Sequence, residues 1–239
     1  MNTTYNETIL LGVPHYQQGD ADNLCVFYAM SMVLVALYPE FHRKILKAPR
    51  YRREGSPVFQ MLRQRARDDM KFKEQMADWF FKGMTMNAAT SILNNLFCEY
   101  YKDSKETYFI HHQVKSKRVR KRKHHTQLQG FEDIWNVGDI CTALSLHLPV
   151  IISGGGLPNH AVVAIGWEKE SRLRRIIYYD PGYGRESWAY TRDIFYDDCD
   201  AIVPNWKNEY FKKHRPPALI THDKLTVYEE WDPEMWRVK

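Results

Sequence analysis

Cys25-Val26-Phe27-Tyr28-Ala29-Met30-Ser31-Met32-Val33-Leu34-Val35-Ala36-Leu37 is an apolar run entered from a polar turn, Gln17-Gln18-Gly19-Asp20-Ala21-Asp22-Asn23. It ends near Tyr38-Pro39, because proline disfavours helix at the residue before it. The run reads as a helix buried on all sides with a thiol in its first turn. Helix N-termini carry unpaired N–H groups and partial positive charge, which favour a thiolate over a thiol. Cys25 is therefore a candidate nucleophile. Packing alone would also explain a small hydrophobe there.

Downstream, a basic irregular stretch from Arg43 to Arg53 precedes Ser56-Pro57, an N-cap followed by proline at the first helical position. Val58, Leu62, Ala66 and Met70, then Met76, Trp79 and Phe80, recur at roughly helical spacing up to Gly83. A further helix is expected from about Asn87 to Tyr101, with Ile92, Leu93, Leu96 and Phe97 inward. Thr107-Tyr108-Phe109-Ile110 reads as a short strand, and Asp139 as the cap of a helix from Ile140 to His147. The character then turns to β, in Pro149–Ile152, His160–Trp167 and Arg175–Asp180. A helical first half and a sheet-forming second half argue for α+β. The length of 239 residues suits one domain over 1–239, with an insertion loop at about 113–127 and an extended C-terminal segment from about 209.

The last two strands supply a base for the thiol. A hairpin turn centred on Glu170 pairs residues whose numbers sum to 340, which sets His160 opposite Asp180. Directly opposed residues share a face with Cβ atoms about 4.5–5.5 Å apart, so imidazole and carboxylate can bond. Such a bond fixes the tautomer of His160 and raises its basicity. A slip of one residue would separate them. His160 lies 135 residues beyond Cys25 and Asp180 lies 155 beyond it. Papain-like proteases place their histidine and third residue about 130–150 residues after the cysteine.

Val13-Pro14-His15-Tyr16-Gln17-Gln18 before Cys25, then Leu148-Pro149-Val150-Ile151-Ile152, Asn159-His160-Ala161-Val162-Val163-Ala164-Ile165-Gly166-Trp167 and Tyr179-Asp180-Pro181-Gly182-Tyr183-Gly184, together resemble the papain-like C39 peptidase family. In that family the strand motif H-x-V-V-x-x-G carries the base and D-P-x-x-G the third member. The similar segments cover about 60 residues, and the middle 100 or so match nothing familiar. The resemblance implies a papain-like α+β fold with a buried central helix starting at the cysteine and a C-terminal antiparallel sheet. It also implies a cysteine peptidase cutting a peptide or isopeptide bond in a protein, with a Cys25-His160-Asp180 triad and no cofactor. The family's upstream glutamine would serve the oxyanion hole together with the Cys25 backbone N–H. Gln18 is the better match for it, with Gln17 a near rival. Where the family has Cys-Gly-Pro-Ala, this chain has Cys25-Val26-Phe27-Tyr28, and those bulky residues would narrow the cleft.

The same triad would serve an acyltransferase or deamidase. A reading from another class rests on Lys115–His125 (KSKRVRKRKHH), seven Lys or Arg in eleven positions and the source of much of the net charge of +5. The block reads as a solvated insertion loop, or else as a contact for nucleic acid or an acidic partner at Lys115–Lys123 in a non-catalytic binding module. It holds no interleaved aromatics, so single-strand stacking is not supported. His111-His112 and His124-His125 have no partner at zinc-ligand spacing, so no metal is expected. Gly154-Gly155-Gly156 lacks the Gly-Lys-Ser/Thr of a phosphate loop and reads as a turn.

Four scattered cysteines without a C-x-x-C pair (Cys25, Cys98, Cys141, Cys199) indicate no disulfide framework. Cys98, Cys141 and Cys199 read as structural. The first eight residues lack a signal-peptide pattern, and no window holds 18 uninterrupted apolar residues. The expectation is a cytoplasmic protein without membrane contact, in which the sequons Asn2-Thr3-Thr4 and Asn6-Glu7-Thr8 are chance matches.

Overall fold

A computed structural model describes residues 7–18, 23–38, 56–101, 106–114, 140, 142–154, 160–170, 173–182, 185–190, 198–213 and 218–222. Its elements, in chain order, are β1 (Glu7–Leu11), α1 (Cys25–Leu37), α2 (Pro57–Arg65), α3 (Met70–Lys82), α4 (Met86–Tyr101), β2 (Phe109–Val114), β3 (Val150–Gly154), β4 (Ala161–Glu170), β5 (Leu173–Asp180), β6 (Arg185–Tyr190), β7 (Cys199–Pro204), α5 (Glu209–Lys213) and β8 (Ala218–His222). The architecture is α+β, a helical group packed against an antiparallel sheet. No described helix is long and apolar enough to cross a membrane.

Helix α1 starts at Cys25, and all thirteen of its residues are buried. It packs against β3 and β4 on one side and against α2 and α4 on the other, which is why it is apolar all round. Met30, Met32 and Leu34 are sealed from solvent, and truncating any one to alanine would cost about 2–5 kcal/mol. Its polar member, Ser31, is bound rather than stranded. The Ser31 and Ser56 hydroxyls lie 2.7 Å apart and each is 2.8 Å from the Phe27 carbonyl. Ser31 Oγ also accepts from Val58 N, while Ser56 Oγ caps α2 by accepting from Phe59 N. The cap of one helix is thereby tied to the middle of another.

The residues at helical spacing between Val58 and Phe80 fall in two helices. α2 ends at Arg65, and Asp69 opens α3 as a new N-cap, accepting from Phe72 N at 3.1 Å. Gly83, in the left-handed region at φ 82°, closes α3. The segment expected to be extended from about 209 opens instead with α5 and then forms β8. There, Asn208 Oδ1 accepts from Tyr210 N, so local side-chain capping favours a turn of helix. The basic block Lys115–His125 lies outside the described residues.

The sheet runs β2-β7-β3-β4-β1-β8, with β5 along the other edge of β4 and β6 along β5. All pairings are antiparallel. β4 is the hub: β3 pairs with its first half and β1 with its second, while β5 follows most of its length. Residues Ala161 to Trp167 are accordingly all buried.

The β4–β5 register differs from the expected one. From Glu170↔Leu173 to Gly166↔Ile177 the paired numbers sum to 343, so the turn centres between 171 and 172 and not on Glu170. A bulge between Ala164 and Gly166 then drops the sum to 342 for Ala164↔Tyr178 and Val163↔Tyr179. Extending that register sets Asp180 diagonal to His160 rather than opposite it. Diagonal neighbours still share a face and lie within reach of long side chains. The bulge is what makes this so. With an odd sum throughout, His160 and Asp180 would project from opposite faces.

Candidate active site

Three chain segments meet at the start of α1. The first is the extended stretch 12–18, which leaves β1 and runs past the end of β5. Gln18 N–H donates to the Pro181 carbonyl at 2.7 Å, and His15 Nε2 lies 3.4 Å from the Asp180 carbonyl. The His15 ring packs on Tyr179 with centroids 4.8 Å apart. Gln18 is buried here and Gln17 is exposed, which distinguishes the two glutamines. The second segment is Asn23-Leu24-Cys25. Asn23 adopts φ 66°, tolerated by asparagine, and its side-chain amide donates to the Phe81 carbonyl at 3.0 Å. The third comprises His160, immediately before β4, and the β5 end at Asp180-Pro181-Gly182.

The His160 ring bridges the other two groups. Its Nε2 is 2.5 Å from Asp180 Oδ1, and the Cys25 side chain is close enough to be the main influence on its titration. With Nε2 engaged by the carboxylate, Nδ1 is the nitrogen left for the thiol. Asp180 is buried, and its Oδ1 accepts a second bond from Gly182 N at 2.8 Å. A carboxylate withdrawn from water is stable only when bonded in this way. Gly182 sits so close that a Cβ there would be 3.3 Å from both Asp180 Oδ1 and His160 Nε2.

The electrostatics follow from these contacts. The Cys25 side chain holds His160 above its ordinary value of 6.5; burial opposes this, and the charges of Cys25 and Asp180 add to it. Burial pulls His15 the other way, against the nearby Asp180. Tyr178, on the same face as Asp180, is raised by burial and by that carboxylate. Cys199 offers a contrast. Burial and the flanking Asp200 and Asp198 push its thiol up to about 12, so it stays protonated and unreactive.

Helix α1 leaves its first turn open to this corner. Its N-cap, Leu24, provides no side-chain cap, and no acidic residue sits in the first turn. The N–H groups there face Cys25's surroundings without a competing internal anion. The bulky residues after the cysteine turn inward. Phe27 is sealed against Phe59 and Trp79, with centroids 5.2 and 6.4 Å away, and the Tyr28 hydroxyl meets the Ser56 backbone.

The structure thus brings together Cys25, His160 and Asp180, and brings Gln18 to the Asp180-Pro181 turn. His15 and Gly182 also belong to the site; both fall inside the segments quoted for the resemblance, but the sequence assigns neither a role. His15 is one of ten histidines, and Gly182 reads as an ordinary turn residue. His111 pairs with Asp200 across β2 and β7 at 2.8 Å, and no metal-binding cluster occurs among the described residues. Cys25, Cys98 and Cys199 form no disulfide. No protein-family model matches the chain, and no curated protein matches it.

Proposed function

We propose that the chain is a papain-like cysteine hydrolase acting on a peptide or isopeptide bond of a protein. The observation that carries this reading is the imidazole of His160, whose Nε2 lies 2.5 Å from the buried carboxylate of Asp180 and whose titration is raised first of all by the Cys25 side chain. A thiol and carboxylate sharing one imidazole form a nucleophile, base and orienting group.

In the proposed reaction His160 takes the Cys25 proton, and the thiolate attacks the acyl carbon, forming a C–S bond. The oxyanion is stabilised by the Cys25 backbone N–H and the Gln18 side chain. As the C–N bond breaks, His160 returns the proton to the leaving amine. Water, deprotonated by His160, then cleaves the thioester and regenerates the thiol. Asp180 holds the ring and its positive charge throughout.

The test is alkylation by chloroacetamide at mildly acidic pH, where ordinary thiols react slowly because few are ionised. Wild-type protein should be labelled at Cys25, and Cys25→Ala protein should lose that label. Equal labelling of the two proteins would overturn the reading.

A further inference from the structure

Away from the triad, α3 leaves a large part of its apolar surface uncovered. Met76 is its only fully buried residue, while Phe80 is 41% exposed and Phe81 73% exposed. Single exposed apolar residues are ordinary, but these are contiguous. Phe59 on α2 lies 6.1 Å from Phe80, which lies 5.3 Å from Phe81. The line continues inward, because Phe59 also packs edge-on against Phe27, two residues past the candidate nucleophile. Phe59, Phe80 and Phe81 line a cleft of about 520 Å³ between α2 and α3.

The rim of this cleft carries one sign of charge. Among the described residues, Arg63, Arg67 and Lys73 line it, and no carboxylate does. Of the neighbouring carboxylates, Asp69 caps α3 and Asp78 pairs with Lys82, while Asp68 and Glu74 are exposed beside Arg67 and Lys73 but do not line the cleft. A groove with an aromatic floor and a cationic rim complements an acidic segment bearing an apolar anchor. A purely apolar occupant would leave the cations without complement, and a purely acidic one would leave the rings uncovered.

The cleft is also joined to the nucleophile's approach. The Phe81 carbonyl accepts from the Asn23 side chain, and Asn23 stands two residues before Cys25. We infer that the α2–α3 cleft is a docking site for an acidic, apolar-anchored segment of a protein partner. Resting on the cysteine-hydrolase reading, that partner is the substrate, held by a segment other than the one cleaved.

The probe is a fluorescent decapeptide of Glu and Asp residues around one central Phe, titrated by anisotropy into full-length Cys25→Ala protein. It should bind, and binding should weaken as salt rises. The triple variant R63E/R67E/K73E should weaken it about tenfold or more. Phe81→Ser, a change at an exposed ring that the fold does not need, should weaken it severalfold, as should replacing the peptide's Phe by Ser. Absence of binding, or equal binding by the charge-reversed variant, would overturn the docking site. So would a dimer that Phe81→Ser dissociates, or capture by phosphatidylglycerol vesicles without peptide binding, since a second copy or a membrane would then be the occupant. Failure here is separable from failure of the catalytic reading, because alkylation of Cys25 in the cleft variants reports the triad independently.

Discussion

Gly182 and Asp180 leave no space between them: the Gly182 N–H donates to Asp180 Oδ1 at 2.8 Å, and a methyl group at 182 would come within 3.3 Å of that oxygen and of His160 Nε2. Gly182→Ala keeps the donor but forces the His160–Asp180 pair to shift by a few tenths of an ångström. Cys25 alkylation should slow severalfold, because catalytic geometry is sensitive to small displacements. The melting temperature should fall only by about 2–4 °C, the effect of about 1 kcal/mol in a chain of this size. An unchanged alkylation rate would show that the pair tolerates the intrusion.

The causes of the raised His160 titration have an order that can be measured. The Cys25 side chain contributes most, and the charge of Asp180 contributes less. Both Cys25→Ala and Asp180→Asn should therefore lower the His160 midpoint in an NMR titration, the cysteine change by more. The reverse order would place the dominant partner on the carboxylate side.

The two histidines of the site should give the stability curve opposite slopes. His160 is raised in the folded state, so its contribution is complete below about 6.5 and is lost as pH rises through its folded value. The deficit in melting temperature of His160→Gln should be largest in mild acid and shrink with increasing pH. His15 is lowered, so its neutral burial costs stability as pH falls below about 6.5. His15→Gln should flatten that acid-side loss. Parallel curves for wild type and both variants would contradict this account.

The serine pair beneath α1 should be worth more than an ordinary cap. Ser56→Ala removes the α2 cap and the partner of Ser31, at a cost of about 1–3 kcal/mol in urea denaturation. The double variant with Ser31→Ala should cost less than the sum of the single changes, since the two hydroxyls share one network. Strict additivity would mean that they act independently.

Much of this site is legible in sequence because its chemistry sits at element ends that announce themselves. The apolar run marks α1 and its first residue, and the motif residues mark His160 and Asp180. The register is not legible in the same way. Ala164-Ile165-Gly166 is apolar throughout, so nothing in its pattern reveals a bulge. β1 and β8 are five-residue strands whose identity comes from pairing with distant segments, which a local pattern cannot show. The break between α2 and α3 was hidden because Ala66 and Met70 continue the helical spacing across it, although Asp69 offers a cap. His15 enters the site only because β1 delivers the following segment alongside β5.

The bulge at Ile165 gives β4 two reading frames. Beyond it, the alternation of the strand answers to its pairing with β1; before it, the phase is reset, and that reset phase presents His160 to Asp180. A one-residue insertion or deletion in the strand would therefore act as a frameshift in space. It would leave the β4–β5 hairpin paired and still turn His160 away from Asp180, so the pairing of these two side chains is inseparable from one irregular step in the strand that leads to it.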